Sequence, residues 1–335
     1  MRAIQVRAHG GPEVLTAADV AQPSAGPGRL LVRVTAAGVN YIDTYHREGA
    51  YPVPLPFTPG LEGAGVVEAV GEATGEDAGE DVGEDVGGFA VGDRVAWSDQ
   101  LGSYAELASV AADRVVAVPD GVDDERACAA MLQGMTAHYL VTASHPVAAG
   151  ETVLVHAAAG GMGLLLCQLV TARGGRVIGT TSTAEKAELA RAAGAAEVID
   201  YTAVPDLAAA VRELTGGEGV AAVYDGVGAS TFDASLAALR RRGTLVLYGA
   251  ASGPVPPVDP QRLNAAGSVF VTRPKLADHT VTREELTWRA GEILSAVARG
   301  TLDLRIGGRY PLAEAAAAHR DLQGRRTTGK LLLLP

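Results

Sequence analysis

Cysteine is scarce in this chain: Cys128 and Cys167 are the only two in 335 residues. Two thiols can build neither a disulfide framework nor the four-thiolate cage of a structural zinc site. They suit a reducing cytosol, where they serve as small buried hydrophobes. Aromatic residues are also few, at 4% of the chain, and no stripe of aromatic and basic residues runs along it. The usual signature of single-stranded nucleic-acid binding is therefore missing. Positive charge is in deficit, with 28 Lys and Arg against 39 Asp and Glu and a formal net charge of −11. That balance argues against nucleic acid or an anionic membrane surface as the main partner. No uninterrupted apolar stretch reaches bilayer-spanning length. The start, Met1-Arg-Ala-Ile-Gln-Val-Arg7, alternates like a strand and lacks a signal peptide's apolar segment. A cytoplasmic protein without membrane association is expected.

What is present fits a globular protein, with 47% hydrophobic and 20% charged residues. A chain of this length is long for one core, so two domains are expected. Much of the acidity is local: Gly71 to Gly88 is a near-repeat of Gly-Glu-Asp. It has nothing to bury and reads as a solvated surface loop. Its carboxylates lack the spacing of an EF-hand calcium loop.

The most informative stretch is Val153 to Cys167. An apolar run that reads as a buried strand ends at Ala157, glycines follow at 160, 161 and 163, and a helix-competent run begins at Leu164. Strand, Gly-rich turn and helix open a dinucleotide-binding fold, where glycines let backbone N–H groups approach a pyrophosphate. The spacing is Gly-Gly-x-Gly, short of the full G-x-G-x-x-G pattern. The segments beyond it strengthen the reading. Arg176–Thr180 reads as the next strand and Lys186–Ala193 as the next helix. Val198–Asp200, Val220–Tyr224 and Leu245–Tyr248 continue an alternation of β and α elements.

The flanks differ. Short strand candidates at Ile4–Arg7, Leu30–Val34, Gly65–Val70, Asp93–Trp97 and Arg114–Val118 suggest a mostly antiparallel β domain. Glu125 to Ser144 is predicted to be helical and leads into the nucleotide domain. A further strand is predicted at Ser268–Thr272. A helix should run from a Thr282 cap, with Glu285 completing a capping box, to Arg299. Lys330–Leu334 reads as a buried strand.

Several motifs in order carry a family resemblance: His9-Gly-Gly-Pro-Glu-Val-Leu15, Ala37-Gly-Val-Asn-Tyr-Ile-Asp-Thr-Tyr45, Pro59-Gly-Leu-Glu-Gly-Ala-Gly65, His156-Ala-Ala-Ala-Gly-Gly-Met-Gly163, Val271-Thr-Arg-Pro274 and Thr282-Arg-Glu-Glu-Leu286. Nearly end to end the chain resembles the quinone oxidoreductases, the zinc-free, zeta-crystallin-like branch of the medium-chain dehydrogenases/reductases. The resemblance implies an α/β fold: a Rossmann doubly wound parallel sheet plus a GroES-like, β-rich catalytic domain that is discontinuous. Residues 1–123 and 273–335 would form the catalytic domain and 124–272 the NADPH-binding domain, with the nicotinamide in the cleft between them. It also implies a homodimer joined along edge strands, for which Ser268–Thr272 is the candidate.

No metal site is expected. Catalytic zinc needs three Cys, His or carboxylate ligands. Zinc-dependent relatives carry Cys at or near Asn40, and Gly-His-Glu where this chain has Gly60-Leu61-Glu62. The seven histidines show no metal-like grouping.

NAD-specific folds place an acidic residue at the end of the second strand. Here that strand ends in Thr180-Thr181-Ser182-Thr183, with no carboxylate before Glu185 and with Lys186 next. Hydroxyls and a cation accept a 2′-phosphate, so NADPH is the expected cofactor. The resemblance adds Tyr201 and Arg325 near that phosphate. It places Gly160, Gly161, Met162 and Gly163 along the pyrophosphate, and Tyr248, Gly249 and Arg273 along the nicotinamide and its ribose. Gln133 stands where some relatives have Lys, and Thr136 is able to bond the ribose or nicotinamide.

The family places the segment holding Asn40, Tyr45 and Tyr51 beside the nicotinamide. Asn40 would orient substrate or ribose, and either phenol could donate to an oxygen that gains charge. The alternative for all three is a packing role in a strand or loop. The small-molecule substrate is expected to be a quinone, reduced by hydride or by successive electron transfers. Rival readings are reduction of the C=C bond of an enone or enal, and a low-turnover NADPH-binding structural or RNA-associated protein.

Overall fold

Parallel strands require crossover segments, and the β/α alternation at the centre of the chain supplies them. In the computed structural model, which describes residues 1–72 and 87–335, the centre carries a six-stranded parallel sheet. Its strand order is Ala195–Asp200, Arg176–Thr181, Thr152–Val155, Val220–Asp225, Leu239–Leu247 and Phe270–Thr272. Numbered along the chain this is 3-2-1-4-5-6, and the order reverses between Thr152–Val155 and Val220–Asp225. Register sets Leu154 opposite Ile178 on one side and Val223 on the other, all fully buried. Helices Leu207–Leu214 and Phe232–Ala238 contribute Val211, Phe232 and Leu236 to the same core.

The second sheet is built from both ends of the chain. Its order is Ile306–Pro311, Lys330–Leu334, Arg29–Val39, Glu62–Val70, Arg94–Ser98 and Val115–Ala117, with Leu107–Ala111 also paired to Arg29–Val39. Leu331 lies opposite Val39 and Leu333 opposite Ala37, so the last strand closes onto the first long one. Trp97, Tyr104, Leu30 and Leu331 share the core beneath. The expected return of the C-terminal strand is therefore present. Leu107–Ala111 and Ile306–Pro311 in this sheet, and Thr16–Asp19, which pairs with Arg2–Gln5 in a separate two-stranded sheet, carry little sequence signal, being short or rich in Ala or Gly.

Two compact units result, Met1–Met135 with Thr280–Pro335, and Thr136–His279. Both divisions fall later than the boundaries expected after residues 123 and 272. The segment Glu125 to Ser144 is helical, as expected, but broken at Met131. Asp124–Ala130 packs on Arg29–Val39 and Glu62–Val70, and a second helix starts at Leu132. The break follows from Glu62, whose Oε2 accepts the Leu132 N–H at 2.7 Å, while Met131 N bonds the carbonyl only three residues back. A buried carboxylate thus caps the N-terminus of helix Leu132–Tyr139 and complements its dipole.

Helix Arg283–Ala298 has the predicted capping box, with Thr282 Oγ1 accepting from Glu285 N at 3.1 Å and Glu285 Oε2 accepting from Thr282 N at 3.3 Å. Most of the acidic Gly-Glu-Asp segment, residues 73–86, lies outside the described residues.

Candidate functional site

The Gly-rich turn leaves the sheet two residues earlier than expected. Strand Thr152–Val155 ends before Ala157 because Ala157 adopts φ +50°, and Ala158 N turns to bond Thr180 O at 3.0 Å. Gly160 is an extended N-cap, and helix Gly161–Ala172 follows without a side-chain cap among the described residues. A helix N-terminus in this state offers N–H donors and a positive dipole end, which fits a pyrophosphate. Gly163 keeps the helix close to the turn: a Cβ there would come within 2.6 Å of Ala158 C and Cα.

Next to it, the ends of two strands form a hydroxyl-rich corner. Thr181 is buried, Ser182 half-buried, and Thr183 Oγ1 caps helix Ala184–Ala192 by accepting from Lys186 N at 3.3 Å. Tyr201 N donates to Thr181 O at 3.1 Å, which brings the exposed Tyr201 beside that corner. Asp200, missed in the sequence, sits opposite Thr181 across the strand pair. Its Oδ1 accepts from Thr202 Oγ1 at 2.7 Å and Thr202 N at 2.9 Å, and these bonds hold its carboxyl below the usual range. That oxygen is engaged by its own turn.

On the other side of the switch point, Tyr248 N donates to Asp225 O at 2.9 Å. The Tyr248 ring covers Gly226, where a Cβ would stand 2.7 Å from the ring, and Gly249 packs on Gly226 O as closely. Arg273, exposed, follows the last strand, Phe270–Thr272. The residues expected in this unit at the pyrophosphate, the 2′-phosphate and the nicotinamide therefore share one carboxyl edge of one sheet, the edge where such sheets bind nucleotides.

Beneath that edge lies a buried polar chain not foreseen in the sequence. Asp225 Oδ1 accepts from Val227 N, Gly228 N and Thr231 Oγ1, and Oδ2 accepts from Ser235 Oγ at 2.8 Å. Ser235 in turn meets His156, and His156 meets Thr180. Burial holds His156 below its ordinary value and so neutral, with Asp225 opposing.

The other compact unit carries Asn40, Tyr45, Tyr51, Gln133 and Arg325. Asn40 caps helix Tyr41–Glu48, an element unforeseen in the sequence, and Asp43 Oδ2 accepts the Asn40 N–H at 2.8 Å. The Asn40 side chain points elsewhere. Its Nδ2 donates to Glu62 Oε1 at 2.7 Å and, more weakly, to Gly38 O at 3.5 Å. Its Oδ1 accepts from Lys330 Nζ at 2.8 Å and Gln133 Nε2 at 3.3 Å. Lys330 and Glu62 are themselves in contact, at 3% and 0% side-chain exposure. Burial pulls the Lys330 ammonium down from its ordinary value and pushes the Asp43 carboxyl up, while the charge of each favours the charged form of the other. Tyr45 lies on the helix and Tyr51 beyond its end, with ring centroids 5.2 Å apart. Arg325 is exposed in a left-handed turn after helix Ala315–Gln323. Thr136 opens the nucleotide unit, nearly buried on helix Leu132–Tyr139. Among the described residues no group of three or more His, Cys, Asp or Glu is placed to hold a metal ion.

Residues 26–120 match the family described as alcohol dehydrogenase GroES-like domain, and residues 161–285 match the one described as zinc-binding dehydrogenase. A Pseudomonas aeruginosa protein named quinone oxidoreductase is 46% identical over 334 residues, covering 99% of each chain. A 2-haloacrylate reductase from Burkholderia is 41% identical, covering 97% of this chain and 96% of its own. A mycobacterial protein solved in complex with NADPH superposes with a TM-score of 0.94 at 54% identity, over all of both chains.

Proposed function

The chain belongs to the quinone oxidoreductase family, and from that premise we propose that it is an NADPH-dependent quinone reductase working without metal. The observation that carries the cofactor choice is the corner of Thr181, Ser182 and Lys186, where the second strand ends in hydroxyls with a lysine in the helix beyond it. A 2′-phosphate is attracted there; an acid at the strand end would repel it. Gly160, Gly161, Met162 and Gly163 hold the pyrophosphate on the uncapped helix N-terminus, with Tyr201 and Arg325 assisting at the 2′-phosphate. Tyr248, Gly249 and Arg273 receive the nicotinamide half, together with Gln133 and Thr136.

When bound, NADPH supplies the hydride. The chain supplies binding, orientation and hydrogen bonds. Asn40 presents its weakly engaged Nδ2–H to the ribose or the acceptor. Tyr45 and Tyr51 wall the acceptor, and a phenol donates to the oxygen that gains negative charge. A quinone takes its remaining proton from water, so the protein needs no dedicated acid.

The 46% and 41% relatives bear names of two reactions, and the second favours an alternative, reduction of an activated C=C bond. Both use the same donors. The strand Phe270–Thr272 lies at the outer edge of its sheet with Phe270 60% exposed, which supports pairing with a second copy as a homodimer. Two free, buried thiols support a cytoplasmic location.

The test is an anaerobic oxidation screen of NADPH and NADH against quinones, enones and 2-haloacrylates. NADPH with quinones should give the highest kcat/KM. Equal use of NADH would overturn the reading of the hydroxyl corner, and preference for enones would promote the alternative.

A further inference from the structure

We propose that Lys330 and Glu62 are positioning residues for the reaction, acting as a pair through the carboxamide of Asn40; this rests on the role given to Asn40 above. Lys330 opens the last strand and Glu62 a central one, 268 residues apart in sequence. Both are buried. Such a pair is a poor stabiliser, since removing two ions from water offsets most of their attraction, and apolar residues of similar volume would serve a scaffold as well.

What the pair does supply is an oriented amide. A donor with no acceptor, the ammonium, faces Asn40 Oδ1, and an acceptor with no donor, the carboxylate, faces Nδ2. Turning the amide by half a revolution would set NH2 against ammonium and oxygen against carboxylate. Only one orientation survives. The charged donor on Oδ1 also polarises the amide, strengthening the second Nδ2–H, whose partner Gly38 O lies 3.5 Å away.

The surroundings are shaped for the carboxylate. A Cβ at Gly38 would stand 2.5 Å from Glu62 Cδ. Glu62 Oε2 bonds Leu132 N, so the same group fixes the start of the helix that carries Gln133. Gln133 then supplies the second donor to Asn40 Oδ1.

The experiment is a cycle on kcat/KM for a quinone at saturating NADPH, using Glu62→Gln/Lys330→Met, Asn40→Ala and the triple variant. The neutral pair should keep the thermal midpoint within a few degrees while losing about tenfold or more in kcat/KM, carried mainly by kcat. Asn40→Ala should lose as much, and the triple variant should lie within about twofold of Asn40→Ala, because the pair acts only through that amide. A triple variant that falls by the product of the two losses, or a neutral pair with full activity, overturns the proposal. Full activity in Asn40→Ala is a separate result: it overturns the role of Asn40 itself, and the proposal with it. Glu62→Gln alone, which keeps an acceptor for Asn40 and Leu132, enters the same cycle if the double variant does not fold.

Discussion

His156 Nε2 stands 2.9 Å from Ser235 Oγ, with both residues buried beneath the Gly-rich turn. Because Ser235 donates its proton to Asp225, it accepts from His156, which places the imidazole proton on Nε2. Nδ1 then accepts from Thr180 Oγ1 at 3.2 Å, and Thr180 Oγ1 accepts from Ala157 N. The turn is thereby tied to the ends of the second and fourth strands. Ser235→Ala leaves His156 Nε2 without a partner and should cost about 1–3 kcal/mol. The NADPH KM should rise several-fold as the turn loosens. Thermal unfolding reads the first effect, and an unchanged midpoint would show that the chain of bonds contributes nothing.

His319 gives stability a pH dependence. Burial first, then Arg47, lowers its pKa to about 3, against about 6.5 when unfolded. Below pH 6.5 the unfolded chain binds a proton that the native chain refuses, so acid favours unfolding down to about pH 3. Between pH 7 and 5 this residue alone should remove on the order of 2 kcal/mol. Urea unfolding of the parent and of His319→Gln at both pH values measures it; equal losses in the two proteins would refute the assignment.

Glycine is demanded at 163 far more than at 160. A Cβ at 163 would press on the Ala158 backbone at 2.6 Å, whereas one at 160 meets only Ala157 O at 3.2 Å. Gly163→Ala should cost about 1–3 kcal/mol by overpacking, and Gly160→Ala less. NADPH titration by fluorescence should show the larger loss for Gly163→Ala. The reverse ranking would remove the helix–turn contact as the explanation.

Lys186→Glu reverses the charge in the first turn of helix Ala184–Ala192. The KM for NADPH should rise about tenfold or more, that for NADH little, since only NADPH carries the 2′-phosphate. A parallel rise for both coenzymes would place Lys186 outside the phosphate contact.

Tyr51→Phe separates the two acceptor classes. An enone needs a donor at its carbonyl oxygen while the hydride adds at carbon, so kcat/KM should fall about 10- to 100-fold. A quinone should lose less than about threefold. Equal losses would reduce Tyr51 to a wall, consistent with its ring lying 5.2 Å from that of Tyr45.

Local features were legible in the chain. The β/α alternation from Val153 onward, the glycines at 160, 161 and 163, the hydroxyls of Thr181, Ser182 and Thr183, and the Thr282–Glu285 box all act within a few residues. Periodicity and capping chemistry make such features readable. Folding brought together what local pattern leaves unmarked. It joined Lys330 to Glu62 and Asn40, linked His156 to Asp225 through Ser235, and broke the helix at Met131 by diverting the Leu132 N–H to a distant carboxylate. Contacts between residues tens to hundreds of positions apart leave no period in a sequence, because burial and pairing depend on which strands become neighbours.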